Sequence, residues 1–584
     1  MLLRPSLRVG ALGARSLPRR PVVRSISTTA DASSAPPRSS RLGLLALVPV
    51  ALAGAVLVSP SSDPEPQTNI AALPTSALLR SYFVYTACSW PRLIDAAPGL
   101  LHAFTHSPAP GLKAITEAVV RRTFFAQFVA GEDLPECINA MNDLHAQNIG
   151  GVLNYSAESE AGDGLAEAHH AAQAHNWAEC ESAIEALGEF ERHLSLTGGF
   201  TGTSSFAIKL SGLIDPDILE RASTTICRIR PLSKSSEVVI DGLPAPFPGV
   251  PQESDGMVID PAESRLASLP SVGGAFEPLG ILAADPGVSD SDLEALHGLW
   301  TKMRTLSGRA ADLGVKLMID AELAPTQPAL DAFTLLLSME FNKPVAGKSF
   351  NGPVIFGTYQ SYLRRAPYLL DAAIRHSEDN GYALGIKLVR GAYFVREREK
   401  WRVEGRAGAD PIWPDKPATD KAYNDSVQKI TSTLARQLDG HHPELALSAV
   451  FATHNPESVE LVLASMEKDG LTVRGPSSKL RLRDGLNSRV FIAQLYGMRD
   501  DITDRVAEAF EPGPPIALKY IAYGKLQEVL PFLARRAIEN KSVMAGEGGA
   551  AVEKKRVSDE LWRRFGWKSA PTQSAPPAQV AAAA

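Results

Sequence analysis

Eight short β-rich runs, each followed by a stretch of helical periodicity, constrain this 584-residue chain more than any other feature. They are "GVLNYSA" near 151, "FAIKL" at 206, "VKLMID" at 315, "PVIFGTYQ" at 353, "YALGIKLV" at 382, "ALSAVFATH" at 446, "RVFIAQL" at 489 and "IALKYIAY" at 516. Strands that alternate with helices pair in parallel, and eight such units predict an α/β fold, a closed (β/α)8 barrel over 150–545. An open doubly wound sheet is the alternative, but no Gly-x-Gly-x-x-Gly turn follows any early strand. Residues 73–148 carry repeated apolar stripes without strand-like alternation, which predicts a helical region ahead of the barrel. Residues 229–290, rich in Pro, Gly, Ser and Asp, are too long for a compact connection and read as an insertion. The tail 569–584 is low in complexity and reads as disordered.

The amino-terminal segment has a different chemistry. Residues 1–30 hold Arg4, Arg8, Arg15, Arg19, Arg20 and Arg24, several serines and no acid before Asp31, the composition of a mitochondrial transit peptide. The uncharged run "LGLLALVPVALAGAVLV" at 42–58 is at the lower limit for spanning a bilayer. An inner-membrane anchor, a cleaved sorting signal and an interfacial segment all fit it. A formal net charge of −6 gives no support to nucleic-acid binding. Four widely spaced cysteines, Cys88, Cys137, Cys180 and Cys227, show no metal or redox pairing and suit a reduced compartment. His169, His170 and His175 lack the acid or cysteine that would complete a zinc site, and no nucleophile elbow or phosphate loop is present.

In a barrel, chemistry gathers at the carboxyl ends of the strands. There the sequence places Lys209, Asp320, Glu322, Lys387, Arg390, Tyr393, Glu397, Thr453, His454, Asn455, Tyr520 and Tyr523. A lysine inside a buried strand is costly unless it meets an anion, so Lys209 and Lys387 call for carboxylate or phosphate partners. Asp320 could partner Lys209, which would equally serve as an ion pair that merely closes the barrel. Several cations, two or three phenols and few acids suit an anionic cofactor together with a carboxylate substrate. The stretch "FLARRAIEN" at 532–540 reads by itself as an amphipathic helix, with Arg535 opposite the apolar stripe, Arg536 flanking it and Glu539 within pairing distance of either. Such a face is ordinarily solvated, and Pro531 weakens the helix where it stands.

The motifs "AIKL", "MIDAE", "TYQ", "KLVRGAY" with Glu397, "FATHN", "QLYGM" and "FLARRAIEN" occur in the order found in the proline dehydrogenases, and the chain resembles that family over roughly 150–545. The resemblance implies oxidation of L-proline to Δ1-pyrroline-5-carboxylate by hydride transfer to FAD, in mitochondria, with ubiquinone in the inner membrane as acceptor. It also implies that the last barrel helix lies over the barrel mouth, so that Arg535 and Arg536 clamp the substrate carboxylate. Lys209 would be a third cation, held by Asp320. Tyr393, Leu495 and Tyr520 would pack around the pyrrolidine ring, and Glu158 and Glu539 would form a gate. Lys387, Arg390, Thr453 and His454 would contact FAD. Three positions depart from the family's pattern. Phe532 replaces a tyrosine common in bacterial members, Gly357 replaces a polar residue common next to the flavin, and Lys387 replaces an arginine. The bulk of Tyr520 favours proline over hydroxyproline, and nothing after 545 resembles an aldehyde dehydrogenase, so a monofunctional enzyme is expected. A hydroxyproline dehydrogenase and a catalytically dead, membrane-tethered barrel are the competing readings; a folate reductase fits the architecture but not the paired arginines.

Overall fold

All eight predicted runs form strands: β1 (Ile149–Tyr155), β2 (Ser205–Ile208), β3 (Lys316–Ile319), β4 (Ile355–Gln360), β5 (Gly385–Val389), β6 (Ser448–Ala452), β7 (Val490–Leu495) and β8 (Ala517–Tyr523). The computed structural model describes residues 69–566 apart from 106, 108, 157–165, 230–238, 241–242, 245–286, 348–349, 407 and 544–549. Each strand pairs in parallel with its neighbours in sequence, and β8 closes on β1 through the register Val152 to Tyr520. The strands are buried on both sides, which is why their sequences read as near-continuous apolar runs.

Two separate apolar layers follow from that. Leu153, Leu317, Ile386 and Ile492 point outward and pack with Leu187, Leu296, Leu336 and Val427 of the surrounding helices. Val152, Ala207, Met318, Phe356, Val450, Phe491 and Leu518 point inward and fill the barrel. That interior cluster takes residues from seven strands, and β5 offers it none. Because side chains alternate along a strand, residues two positions beyond the filled layer also face inward at the carboxyl ends. Lys209, Asp320, Thr358 and Tyr520 stand in this way above Ala207, Met318, Phe356 and Leu518.

The last barrel helix, Leu530–Val543, belongs to neither layer. Its Phe532, Leu533 and Ala537 pack with Leu78, Ile94, Phe125 and Phe128 of the amino-terminal helices. Burying Phe532 and Leu533 stabilises this docking by about 1.5–3 kcal/mol each. Pro531 falls in the first turn, where a missing backbone donor has no intrahelical partner to lose, so it starts the helix instead of kinking it. The amino-terminal helix Thr75–Cys88 and the short helix Ala126–Phe128 hold this position by bonds to the β7–β8 end of the barrel. The hydroxyl of Tyr85 donates to the Gly497 carbonyl at 2.9 Å, and Gln127 Nε2 donates to the same oxygen at 3.2 Å.

A further helix, Ala550–Arg564, was not anticipated. Arg564 ties it to Thr75 Oγ1 at 3.0 Å and to the Ala71 carbonyl at 2.8 Å. Its charge-rich sequence hides an apolar seam of Ala550, Val557 and Leu561. Of the expected insertion at 229–290, the described part includes two paired two-residue strands, Val239–Ile240 and Leu243–Pro244. The expected transit peptide at 1–30, the apolar run 42–58 and the tail 569–584 lie outside the described residues. Among the described residues no helix is long and apolar enough to cross a membrane.

Candidate active site

Asp320 is the hub of the carboxyl-end layer. It follows β3 directly, and its Oδ1 receives a hydrogen bond from Lys387 Nζ at 2.5 Å while its Oδ2 receives one from the Tyr520 hydroxyl at 2.9 Å. The Lys387 ammonium also lies 4.7 Å from the centroid of the Tyr520 ring. Lys387 and Asp320 are only 6% and 8% exposed, so the pair is shielded from water. Tyr520 is locked from two sides, and burial followed by the adjacent Asp320 carboxylate pushes its phenol well above the ordinary range. Arg536 and Tyr393 are near enough to act on the same phenol, Arg536 pulling it down and Tyr393 pushing it up.

This corrects two expectations. Asp320 is paired with Lys387 instead of Lys209, because Lys387 is the inward residue of β5, the strand that puts no apolar side chain into the interior cluster. Lys209 acts on Glu322, whose pKa burial raises and whose Oε1 accepts the Ser211 N–H at 3.0 Å. Gly357 lies on the outer face of β4, since Phe356 and Thr358 on either side face inward. A Cβ there would stand 3.1 Å from Thr334 Cγ2 of the surrounding helix, so the missing polar side chain takes nothing from the barrel interior.

Arg390 joins the ends of β5 and β6. Its Nε donates to Asp420 Oδ1 at 2.7 Å, its Nη1 to Thr453 Oγ1 at 2.5 Å and its Nη2 to Ser458 Oγ at 2.8 Å, with the Tyr423 ring 4.3 Å below. Asp420, Tyr423 and Ser458 were missed by sequence reasoning, since they sit on helices whose polar positions look like solvated faces. The next residue in "VRGAY", Gly391, has φ +119, and a Cβ on it would meet the Tyr362 ring at 1.9 Å. The turn that carries Tyr393 into the site therefore requires glycine.

His454 ends β6 with its Nδ1 buried and without a hydrogen-bond partner among the described residues. Burial, then the positive charges of Lys519, Arg536 and Arg499, push its pKa down to about 3, so the imidazole is neutral. Arg499 and Lys519 are held by Asp501 at 2.8 Å and Asp500 at 2.6 Å. Glu397 is 2% exposed; its Oε1 accepts the Ala324 N–H at 2.7 Å and the Tyr362 hydroxyl at 3.4 Å. It thereby ties the loop after β3 to the helix that begins beyond Tyr393, Phe394–Val403.

Arg536 is buried to 6% exposure on the last helix, where a flanking residue was expected to meet solvent. Its Nη2 donates to Glu539 Oε1 at 2.5 Å, and its guanidinium lies 4.8 Å from the Phe532 ring. Arg535, beside it, is half-buried. Leu495 ends β7 next to Tyr520 in register and packs under the last helix. Glu158 lies outside the described residues. The fold thus brings Asp320, Lys387, Tyr393, Tyr520, His454 and Arg536 to one end of the barrel.

The family described as proline dehydrogenase matches residues 137–546, more than half of the chain. The chain belongs to the proline dehydrogenase family. It is 28% identical to the hydroxyproline dehydrogenase of Mus musculus, an alignment that covers 84% of this chain and 92% of that protein. It is 25% identical to the mitochondrial proline dehydrogenase 1 of Drosophila melanogaster, over 87% of this chain and 82% of that protein. Among solved structures, proline utilization A from Bdellovibrio bacteriovorus, inactivated by N-propargylglycine, is 13% identical with a TM-score of 0.49, over 87% of this chain and 42% of that chain.

Proposed function

We propose that this chain oxidises L-proline to Δ1-pyrroline-5-carboxylate with FAD as cofactor and ubiquinone as electron acceptor, in mitochondria at the inner membrane. The observation that carries the reading is the burial of Arg536 beside Tyr520 and His454, at the carboxyl ends of strands, on a helix drawn off the barrel flank. A guanidinium there suits a carboxylate substrate, because its planar fork bonds both oxygens at once.

Lys387, Arg390, Thr453 and His454 are the residues that would hold FAD. The partnerless, neutral Nδ1 of His454 is a buried polar atom that a bound group would satisfy. When bound, FAD supplies the acceptor for hydride from the ring carbon beside the proline nitrogen. The remaining work falls to the protein. Arg535 and Arg536 orient the carboxylate, while Tyr393, Leu495 and Tyr520 confine the ring. Lys209 adds positive charge beside Glu322. Asp320 fixes Tyr520 and Lys387 together, so substrate pocket and cofactor face share one anchor. The last helix and the amino-terminal helices exclude water above, with Glu158 and Glu539 as the gate.

Tyr520 also bears on the choice between proline and hydroxyproline. With its hydroxyl bonded to Asp320 and its ring against Lys387, it cannot swing aside, which supports proline as the substrate. Turnover of L-proline by protein lacking roughly its first 60 residues, a cut after the apolar segment, tests the assignment. Arg536→Met should lower kcat/KM by about 100-fold, mainly through KM. An unchanged KM would remove the carboxylate clamp from the account.

A further inference from the structure

The opposite end of the barrel holds a second cluster of buried charge that the proposed reaction does not use. Two residues below the filled layer, on the amino-terminal side, Ser205, Lys316, Ser448 and Arg489 take the inward positions in series with Ala207, Met318, Val450 and Phe491. Their exposures are 1%, 5%, 0% and 5%. Lys316 donates to the Gly202 carbonyl and lies 5.6 Å from the Phe491 ring, so its side chain crosses the barrel floor from β3 towards β7. Arg489 donates to the carbonyls of Ala446 and Glu444. Neither cation makes a salt bridge with a carboxylate among the described residues; Arg489 opposes the charge of Lys316, and the Glu444 carboxylate acts on Arg489 through space only. Glu191 acts on Lys316 through space, but its oxygens are occupied by the N–H groups of Gly202, Thr203 and Ser204 at 2.6, 3.2 and 2.8 Å.

Burying two cations without an ion pair is costly, and carbonyl dipoles offset only part of it. The hydroxyls add a second observation: Ser205 Oγ and Ser448 Oγ are buried with no hydrogen-bond partner. Glycines border the cluster on both sides, where any side chain would crowd it. Gly352 has φ +105, and a Cβ on it would stand 3.1 Å from Ser448 Oγ and 3.3 Å from Arg489 Nη1. On the other side, a Cβ on Gly202 would stand 3.0 Å from Ser488 Oγ and 3.8 Å from Lys316 Nζ. We propose that the barrel floor binds a small inorganic anion of the halide class, held by Lys316, Arg489 and the hydroxyls of Ser205 and Ser448. The set offers donors and positive charge and no free carboxylate, which is the recognition chemistry of an anion and not of a metal ion. Bound there, the anion joins β2 and β3 to β6 and β7 across the floor.

The test uses the purified full chain. Thermal unfolding in sodium chloride against sodium gluconate, at constant ionic strength, should show a saturable rise of about 1–2 °C in chloride. Lys316→Met should abolish the difference. Crystals soaked in sodium bromide should show an anomalous peak between Lys316, Ser448 and Arg489, a readout that stands even if the variant fails to fold. Identical midpoints in the two salts, or water without a bromide peak at that place, would overturn the proposal.

Discussion

Replacing Asp320 by alanine strands two groups at once. Lys387, with a side chain 8% exposed, loses its only ion-pair partner among the described residues, and the Tyr520 hydroxyl loses its acceptor. Breaking a buried ion pair from one side costs about 3–5 kcal/mol, because the remaining charge stays buried. The unsatisfied hydroxyl adds at most about 1–3 kcal/mol, and since both groups share one carboxylate the terms do not simply add. A total loss near 4–5 kcal/mol is expected. The double variant Asp320→Leu with Lys387→Met removes both charges and should recover more than half of that loss. Tyr520→Phe should cost about 1–2 kcal/mol in the parent chain and close to nothing beside Asp320→Ala. Urea unfolding of the flavin-free proteins reads the four variants against the parent, so that a changed FAD affinity does not enter the comparison. The reasoning fails if Asp320→Ala stays within about 1 kcal/mol of the parent, or if the double variant is no more stable than the single one.

Glu397 should make stability fall as pH rises. Burial lifts its pKa to about 7 from an ordinary 4.5, so between those values the folded chain keeps a proton that the unfolded chain releases. Its contribution is fully present below the unfolded value and is lost as pH rises through 7, by about 3 kcal/mol at most. Glu397→Gln should flatten that part of the curve between about pH 4.5 and 7, and an unchanged slope in urea midpoints would locate the titration elsewhere. Substrate preference is a separate test: kcat/KM for L-proline should exceed that for hydroxyproline by about 10-fold or more, and faster hydroxyproline turnover would reverse the role given to Tyr520. Arg390→Met should lower FAD affinity by about 10-fold or more, because three donors that align Thr453, Asp420 and Ser458 are lost together. Flavin content after dialysis measures it, and full retention would make Arg390 a purely structural clasp.

How much of this was legible in the sequence differs from residue to residue. The strands were, because fully buried parallel strands must be apolar along their length, and a charge within such a run stands out. That signal picked out Lys209 and Lys387, and applied to "VKLMID" and "RVFIAQL" it would have found Lys316 and Arg489 too. Partners were not legible. Asp320 could be placed at the end of β3, but whether it meets Lys209 on β2 or Lys387 on β5 depends on side-chain reach across the barrel, which periodicity along one strand does not encode. The direction of Gly357 was readable from the pleat, since Phe356 is apolar and inward. Arg536 was misread by periodicity alone, because a helix lying over a barrel mouth has two buried faces, one of them polar. The family motifs corrected that, while the charge-rich Ala550–Arg564 helix, with its narrow apolar seam, went unnoticed.

Under the proposed function, the Arg536 end of the barrel takes L-proline onto a flavin. An anaerobic visible spectrum of the protein without its first 60 or so residues, recorded before and after L-proline is added, tests it most directly. A flavin band that proline bleaches is the expected result. A colourless protein, or a flavin that proline leaves oxidised, would contradict it.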